Sequence, residues 1–156
     1  MALGLALPSA VGASTTIDAI TLDGEPVRLT DYFDARKWTL VMVWTTYCAV
    51  CEREFPIVAA LHDAHRNDDF KVLGLSVDGE AAVERVAATL AERRPGFNSL
   101  VAEPAEVAAG YRRLTGESFD GTPTYLLFDA EGELAAHMSG PLDTAAVEQF
   151  IVERRH

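Results

Sequence analysis

The sequence predicts an α/β protein in which helices flank a central mixed β-sheet. Apolar runs of strand length, at residues 38–44 and 70–77, alternate with helical patterns, which is typical of parallel strands joined by helices. Pairs of short strand-like runs near both ends of the chain surround turn residues and indicate β-hairpins. With 156 residues, 49% of them hydrophobic, and no internal repeat or linker, the chain has the size of one domain.

Residues 1–14 differ from the remainder of the chain. They are apolar, carry no charge and end in small residues that resemble a signal-peptidase site, but they lack a basic leading region and are too short to span a bilayer. We interpret this segment as the remnant of a secretory signal or as a disordered N-terminus, and residues 15–156 as the folded domain. A periplasmic or other extracytoplasmic location is therefore expected, with the cytoplasm as the alternative.

The first predicted elements are a hairpin, a buried strand and a helix. Residues 16–22 and 26–29 flank Asp23-Gly24, a dipeptide that favours a tight hairpin turn. The apolar run 38–44 predicts the buried strand. A helical pattern follows it and extends to about residue 67.

The second half of the chain repeats the alternation of strands and helices. Residues 70–77 predict a strand, and Asp78 is placed to cap a helix with apolar positions at Val83, Val86, Ala87 and Leu90. Residues 97–101 predict a short strand inserted before a helix that begins at Pro104. A hairpin of residues 125–128 and 133–138 and a closing helix complete the order ββ–βα–βα–βα–ββα.

The only two cysteines, Cys48 and Cys51, stand where the buried strand ends and the first helix begins. A Cys-x-x-Cys pair at a helix N-terminus in an α/β pattern indicates redox chemistry. The helix dipole and the free N–H groups of the first turn stabilise a thiolate and lower its pKa. We therefore predict that Cys48 is the attacking thiol and that Cys51, one turn deeper, is the resolving thiol.

Two further features accompany this pair. Glu54 follows Cys51 by three positions, so both side chains point to one side of a helix, and a partly buried carboxylate there can take the Cys51 proton. The alternative is that Glu54 is a solvated helix residue. Thr122-Pro123 precedes the strand at residues 125–128, and a proline bond that enters a strand is a candidate cis peptide.

These motifs resemble a known family. The chain contains the string Trp44-x-x-Tyr47-Cys48-x-x-Cys51-x-x-Glu54-Phe55-Pro56, followed some seventy residues later by Thr122-Pro123-Thr124. This combination resembles the thioredoxin fold and, more narrowly, the TlpA/ResA-like thiol–disulfide oxidoreductases, bacterial proteins that include cytochrome c maturation reductases. The resemblance implies that the first cysteine attacks, the second resolves, the glutamate manages protons and the proline is cis beside the disulfide.

The resemblance also implies partners and a binding groove. The partners are a protein thiol or disulfide client and an upstream electron donor, with no cofactor and a monomeric chain. The expected groove residues are Trp44, Tyr47, Thr122 and Pro123. Met42 replaces the buried aspartate of ordinary thioredoxins, which leaves more of the proton transfer to Glu54.

The net charge and the sequence motifs bear on several alternative functions. A formal charge of −11 argues against nucleic acid and anionic membrane surfaces as partners. Copper binding by the two thiols with a distant histidine such as His137 is one alternative. Peroxiredoxin-like peroxidase activity is a weaker one, because Thr45-x-x-Cys48 matches its motif but the upstream proline is missing.

Overall fold

The computed structural model describes residues 16–155, so the predicted signal remnant at residues 1–14 lies outside the described residues. The predicted order of elements is confirmed. The strands and helices are β1 Asp18–Ile20, β2 Pro26–Arg28, β3 Trp38–Trp44, α1 Ala49–His65, β4 Phe70–Ser76, α2 Val83–Arg93, β5 Ser99–Val101, α3 Pro104–Thr115, β6 Thr124–Phe128, β7 Leu134–Ser139 and α4 Thr144–Arg154. Within residues 16–155, none of the helices combines the length and the apolar character needed to cross a bilayer.

The strands form one mixed sheet in the order β2-β1-β5-β4-β3-β6-β7. Strands β3, β4 and β5 are parallel, whereas β6 and β7 continue the sheet as antiparallel strands on the other side of β3. The N-terminal hairpin joins the sheet through β1, which pairs with the inserted strand β5. The predicted mixed sheet, N-terminal hairpin and insertion between the central helices are therefore confirmed.

Strand β3, which leads to Cys48, is buried on both of its faces. Leu40, Met42 and Trp44 belong to a core shared with α1 and α4, whereas Val41 and Val43 belong to a second core shared with α3. Full burial of such side chains contributes roughly 1.5–3 kcal/mol each to the free energy of unfolding. A slip of one residue would exchange the two faces, so the register that delivers the chain to Cys48 is strongly determined.

The predicted helix cap at Asp78 is wrong. Helix α2 begins at Val83, its N-cap position is Ala82, and no side chain caps it. A short 3₁₀ turn, Glu80–Ala82, lies between Asp78 and α2. The Asp78 carboxylate is instead occupied by hydroxyl and amide donors beside the cysteine pair, as described below.

Candidate active site

The two cysteines form a disulfide at the N-terminus of α1. The chain leaves β3 at Trp44 and turns through residues 45–47, so that Cys48 occupies the N-cap position of the helix. The Cα atoms of Cys48 and Cys51 are 5.1 Å apart, and the Cys51 backbone N–H donates to the Cys48 sulfur over 3.0 Å. The Cys48 sulfur thus lies where the helix N–H groups and dipole stabilise negative charge.

The two sulfur atoms differ in their access to solvent. Cys51 is completely buried in the core between α1 and the sheet, whereas Cys48 is half-buried at its edge. The burial of Cys51 follows from its position one turn into the helix, on the face that packs against the sheet. Only Cys48 is therefore open to a large reaction partner.

Glu54 is buried beneath the disulfide. It lies one turn after Cys51 and is only 3% exposed. Its Oε1 atom accepts a hydrogen bond of 2.7 Å from the backbone N–H of Leu142, which precedes α4. The alternative that Glu54 is a solvated helix residue is therefore wrong.

The Thr122-Pro123 segment lies at the same edge of the sheet as the cysteine loop. The peptide bond between these residues is cis, Pro123 is buried and Thr122 is partly exposed. The next residue, Thr124, pairs with Val43 of β3 in antiparallel register. Because β3 runs directly into the loop before Cys48, this register places residues 122 and 123 beside that loop.

The two aromatic residues expected in the groove occupy different environments. Tyr47 is 78% exposed next to Cys48, which suits a residue that contacts a partner. Trp44 is completely buried, donates its indole N–H to Ser99 Oγ over 3.0 Å and packs edge-on against Phe55. Trp44 therefore does not line a surface groove, contrary to the expectation from sequence.

Asp78 organises the loop that precedes Cys48, a function that the sequence analysis missed. Its Oδ1 accepts from the hydroxyls of Thr45 at 2.8 Å and Thr46 at 2.7 Å, and its Oδ2 accepts from the Thr46 N–H at 3.0 Å and the Ser76 hydroxyl at 2.6 Å. Its side chain is only 2% exposed. Arg85 completes the cluster by donating to the Thr46 hydroxyl over 2.9 Å.

The hydrogen bonds to Asp78 outweigh the cost of burying its charge. Burial raises the pKa of this carboxyl, but donation from Ser76, Thr46 and Thr45 holds the pKa below its ordinary value of 3.8. A usable signal was present in the sequence. Asp78 follows β4, two threonines follow β3, and the carboxyl ends of neighbouring parallel strands meet at one edge of a sheet.

Asp78→Asn is expected to lower the free energy of unfolding by about 2 kcal/mol at neutral pH, because hydrogen bonds to a buried charge are lost. The folded-state pKa of Asp78 lies below the unfolded value, so its contribution is complete above about pH 3.8 and disappears as the pH falls through the folded-state pKa. The difference in unfolding free energy between wild type and Asp78→Asn should therefore be smaller in acid than at neutral pH. Urea unfolding of both proteins at neutral and at acidic pH measures it. Asp68→Asn, at a carboxylate that is 65% exposed, is the matched control. Equal stability of wild type and Asp78→Asn at neutral pH would contradict this role.

Within residues 16–155, the residues expected for copper binding and for peroxidase activity do not form a site with the cysteine pair. In that part of the chain, no three His, Cys, Asp or Glu side chains cluster as a metal site. His137 bonds through Nδ1 to the Tyr111 hydroxyl. The Thr45 hydroxyl, which the peroxidase motif would direct at a peroxide, donates to Asp78.

The fold and the disulfide at the α1 N-terminus define the class of the protein, a thiol–disulfide oxidoreductase with a thioredoxin-like fold. Residues 11–137 match the model of the AhpC/TSA family, and the chain belongs to that family.

Relatives and solved structures agree with this class. The sequence is 26% identical over 144 residues to the thiol-disulfide oxidoreductase ResA of Geobacillus kaustophilus, covering 91% of this chain and 76% of that protein. It is 22% identical over 134 residues to the sporulation thiol-disulfide oxidoreductase A of Bacillus subtilis, covering 85% and 76%. The crystal structure of the thioredoxin domain of a Bacteroides vulgatus thiol-disulfide oxidoreductase superposes with a TM-score of 0.69 at 25% identity, covering 94% of this chain and 99% of that one.

Proposed function

We propose that the protein exchanges electrons with protein disulfides through Cys48 and Cys51, with Glu54 carrying the proton of the resolving step. The observation that carries this proposal is the difference between the two sulfur atoms. Cys48 is partly exposed at a helix N-terminus, and Cys51 is completely buried with the Glu54 carboxylate one turn away. This arrangement supports a reaction in two displacements that use the sulfurs in a defined order.

In the first displacement, the Cys48 thiolate attacks one sulfur of a client disulfide. A bond forms between Cys48 and that sulfur, the client S–S bond breaks, and the other client sulfur leaves as a thiolate. The helix N-terminus favours this step because it keeps Cys48 ionised. The client chain would contact the residues around Cys48, which we propose are Tyr47, Thr122 and Pro123.

In the second displacement, Cys51 releases the client. The Cys51 thiol transfers its proton to Glu54, and the resulting thiolate attacks the Cys48 sulfur. The Cys48–Cys51 disulfide forms and the second client sulfur leaves, so that the client gains two electrons and the protein loses two. A thiol donor upstream returns the protein to its reduced form, and the same steps in reverse oxidise a client.

We further propose that a monomer of residues 15–156 works outside the cytoplasm, on an apocytochrome c or a related client. The apolar segment 1–14, with its small C-terminal residues, supports export. Cell fractionation of the tagged protein tests the compartment. Recovery in the cytoplasmic fraction alone would contradict this part of the proposal.

Reduction of insulin by dithiothreitol, followed by turbidity, tests the exchange reaction. Wild type is expected to accelerate precipitation of the insulin chains, and Cys48→Ala is expected to reduce the rate to background. Thr16→Ala, which removes a hydroxyl that bonds to Thr30, serves as the control and should keep the wild-type rate. Full activity of Cys48→Ala would contradict the proposal.

A further inference from the structure

Two buried oxygen atoms on the α1 side of the sheet have no hydrogen-bond partner among residues 16–155: Glu54 Oε2 and Tyr125 Oη. Glu54 is 3% exposed and Tyr125 is 1% exposed, so water does not freely reach either residue. Buried polar atoms are nearly always paired in folded proteins. Two unpaired oxygens near a reactive disulfide therefore need an explanation.

The two residues interact electrostatically. Burial and, after it, the charge of Glu54 raise the pKa of Tyr125. The Tyr125 phenol therefore stays protonated at neutral pH. Tyr125 belongs to the same core cluster as Cys51. Its electrostatic interaction with Glu54 places it beside the carboxyl group that would receive the proton.

A hydroxyl group suits this position for a chemical reason. It can donate to an ionised carboxylate and accept from a protonated one, whereas the Leu142 N–H can only donate. Glu54 Oε1 already accepts a hydrogen bond from the Leu142 N–H. Oε2 is therefore the oxygen that accepts a hydrogen bond when Glu54 is ionised and donates one when Glu54 is protonated. It needs a partner that can both donate and accept, as a tyrosine hydroxyl can.

We propose that Tyr125 is a positioning residue for Glu54, its hydroxyl pairing with Oε2 through one water, or directly after a small side-chain shift, while Glu54 accepts the Cys51 proton. The proposal rests on the function proposed above. In that step the Cys51 S–H bond breaks, an O–H bond forms on Glu54, and the sulfur electron pair forms the bond to Cys48. Tyr125 donates to Oε2 before the transfer and accepts from it afterwards, with no net gain or loss of a proton.

His137 on β7 and Asp143 before α4 are titratable groups that line the same cavity as Tyr125. In the sheet, Tyr125 is paired with Met42 on β3 and Met138 on β7, neither of which carries a charge. On α1 the neighbouring titratable group is Cys51. Before α4 it is Asp143, whose carboxylate accepts from the Ala146 N–H at the start of that helix.

The two displacements can be followed separately with dithiodipyridine, which releases one pyridinethione at each step. Reduced protein is mixed with one equivalent of the reagent in a stopped-flow instrument over a range of pH. The first release reports attack by Cys48, and the second reports attack by Cys51. The variants are Tyr125→Phe, Glu54→Gln and the double variant.

Tyr111→Phe is the matched control. Tyr111 is also buried, at 4% exposure, but it lies in the core on the opposite face of the sheet and its hydroxyl bonds to His137. Tyr111→Phe therefore removes a buried tyrosine hydroxyl whose partner is His137 and not Glu54.

Tyr125→Phe is expected to leave the first release unchanged and to slow the second roughly tenfold near neutral pH, because a hydrogen bond to the ionised base is lost. Its pH profile should move to higher pH, since the ionised form of Glu54 is less stabilised. In the Glu54→Gln background the same change should have no further effect. Tyr111→Phe should behave as wild type.

The outcomes separate the two proposals. Absence of a distinct second release in wild type would overturn the proposed function. A normal second release in wild type, with the same rate and pH profile in Tyr125→Phe, would overturn the role of Tyr125 alone. Additive slowing in the double variant would also overturn it, because the hydroxyl would then act independently of Glu54.

Discussion

Cys51→Ser is expected to accumulate a covalent adduct between Cys48 and the client. The exchange needs a second thiolate to attack the Cys48–client bond, and a serine hydroxyl is not ionised near neutral pH. Serine is close in size to cysteine, and the site is completely buried within a well-packed helix face, so the fold should persist. Turnover should fall by several orders of magnitude while the first displacement continues.

The adduct is measured by non-reducing electrophoresis of extracts from cells that produce the variant. It should disappear on treatment with dithiothreitol, and it should be absent from the Cys48→Ser, Cys51→Ser double variant. Mass spectrometry of the trapped chain identifies the client and its compartment. An adduct that forms equally in the double variant would not be a disulfide with either cysteine and would contradict the trapping mechanism. An adduct through Cys51 in a Cys48→Ser chain would show that the order of the two sulfurs is wrong.

Glu54→Gln is expected to have the next largest effect, a slowing of the second displacement by roughly 100-fold near neutral pH, because general acid–base catalysis is removed. Glutamine has the same shape and can still accept from the Leu142 N–H through its amide oxygen. The fold and the first displacement should therefore be preserved. The stopped-flow assay measures both steps in one experiment.

Glu52→Gln is the control for this effect. Glu52 lies two residues away on α1, is 48% exposed and pairs with Arg93 over 2.8 Å, so its loss changes the charge of the same helix without touching the buried site. It should retain the wild-type rates. If Glu54→Gln and Glu52→Gln behave alike, the buried carboxylate is structural and another group accepts the Cys51 proton.

The order of the elements and the position of the cysteine pair could be predicted from the sequence. The apolar run 38–44 is long, β-branched and aromatic, so it predicted a buried strand, and the central strand β3 has those bounds. The spacing of Cys48, Cys51 and Glu54 is local, within two turns of one helix. Local spacing is sufficient to place side chains on one face, which is why the burial of Cys51 could be anticipated.

The contacts between residues across the sheet depend on how the strands and helices pack. Asp78 had the pattern of a helix cap, but β4 ends beside β3, so its carboxylate binds the two threonines before Cys48. Trp44 ends β3 with its indole in the core, because Ser99 on β5 supplies an acceptor there. Such contacts join positions 30 to 90 residues apart in the chain, as Leu142 and Glu54 also do, at a separation of 88. Strand pairing and helix packing set these distances, and no local spacing in the sequence encodes them.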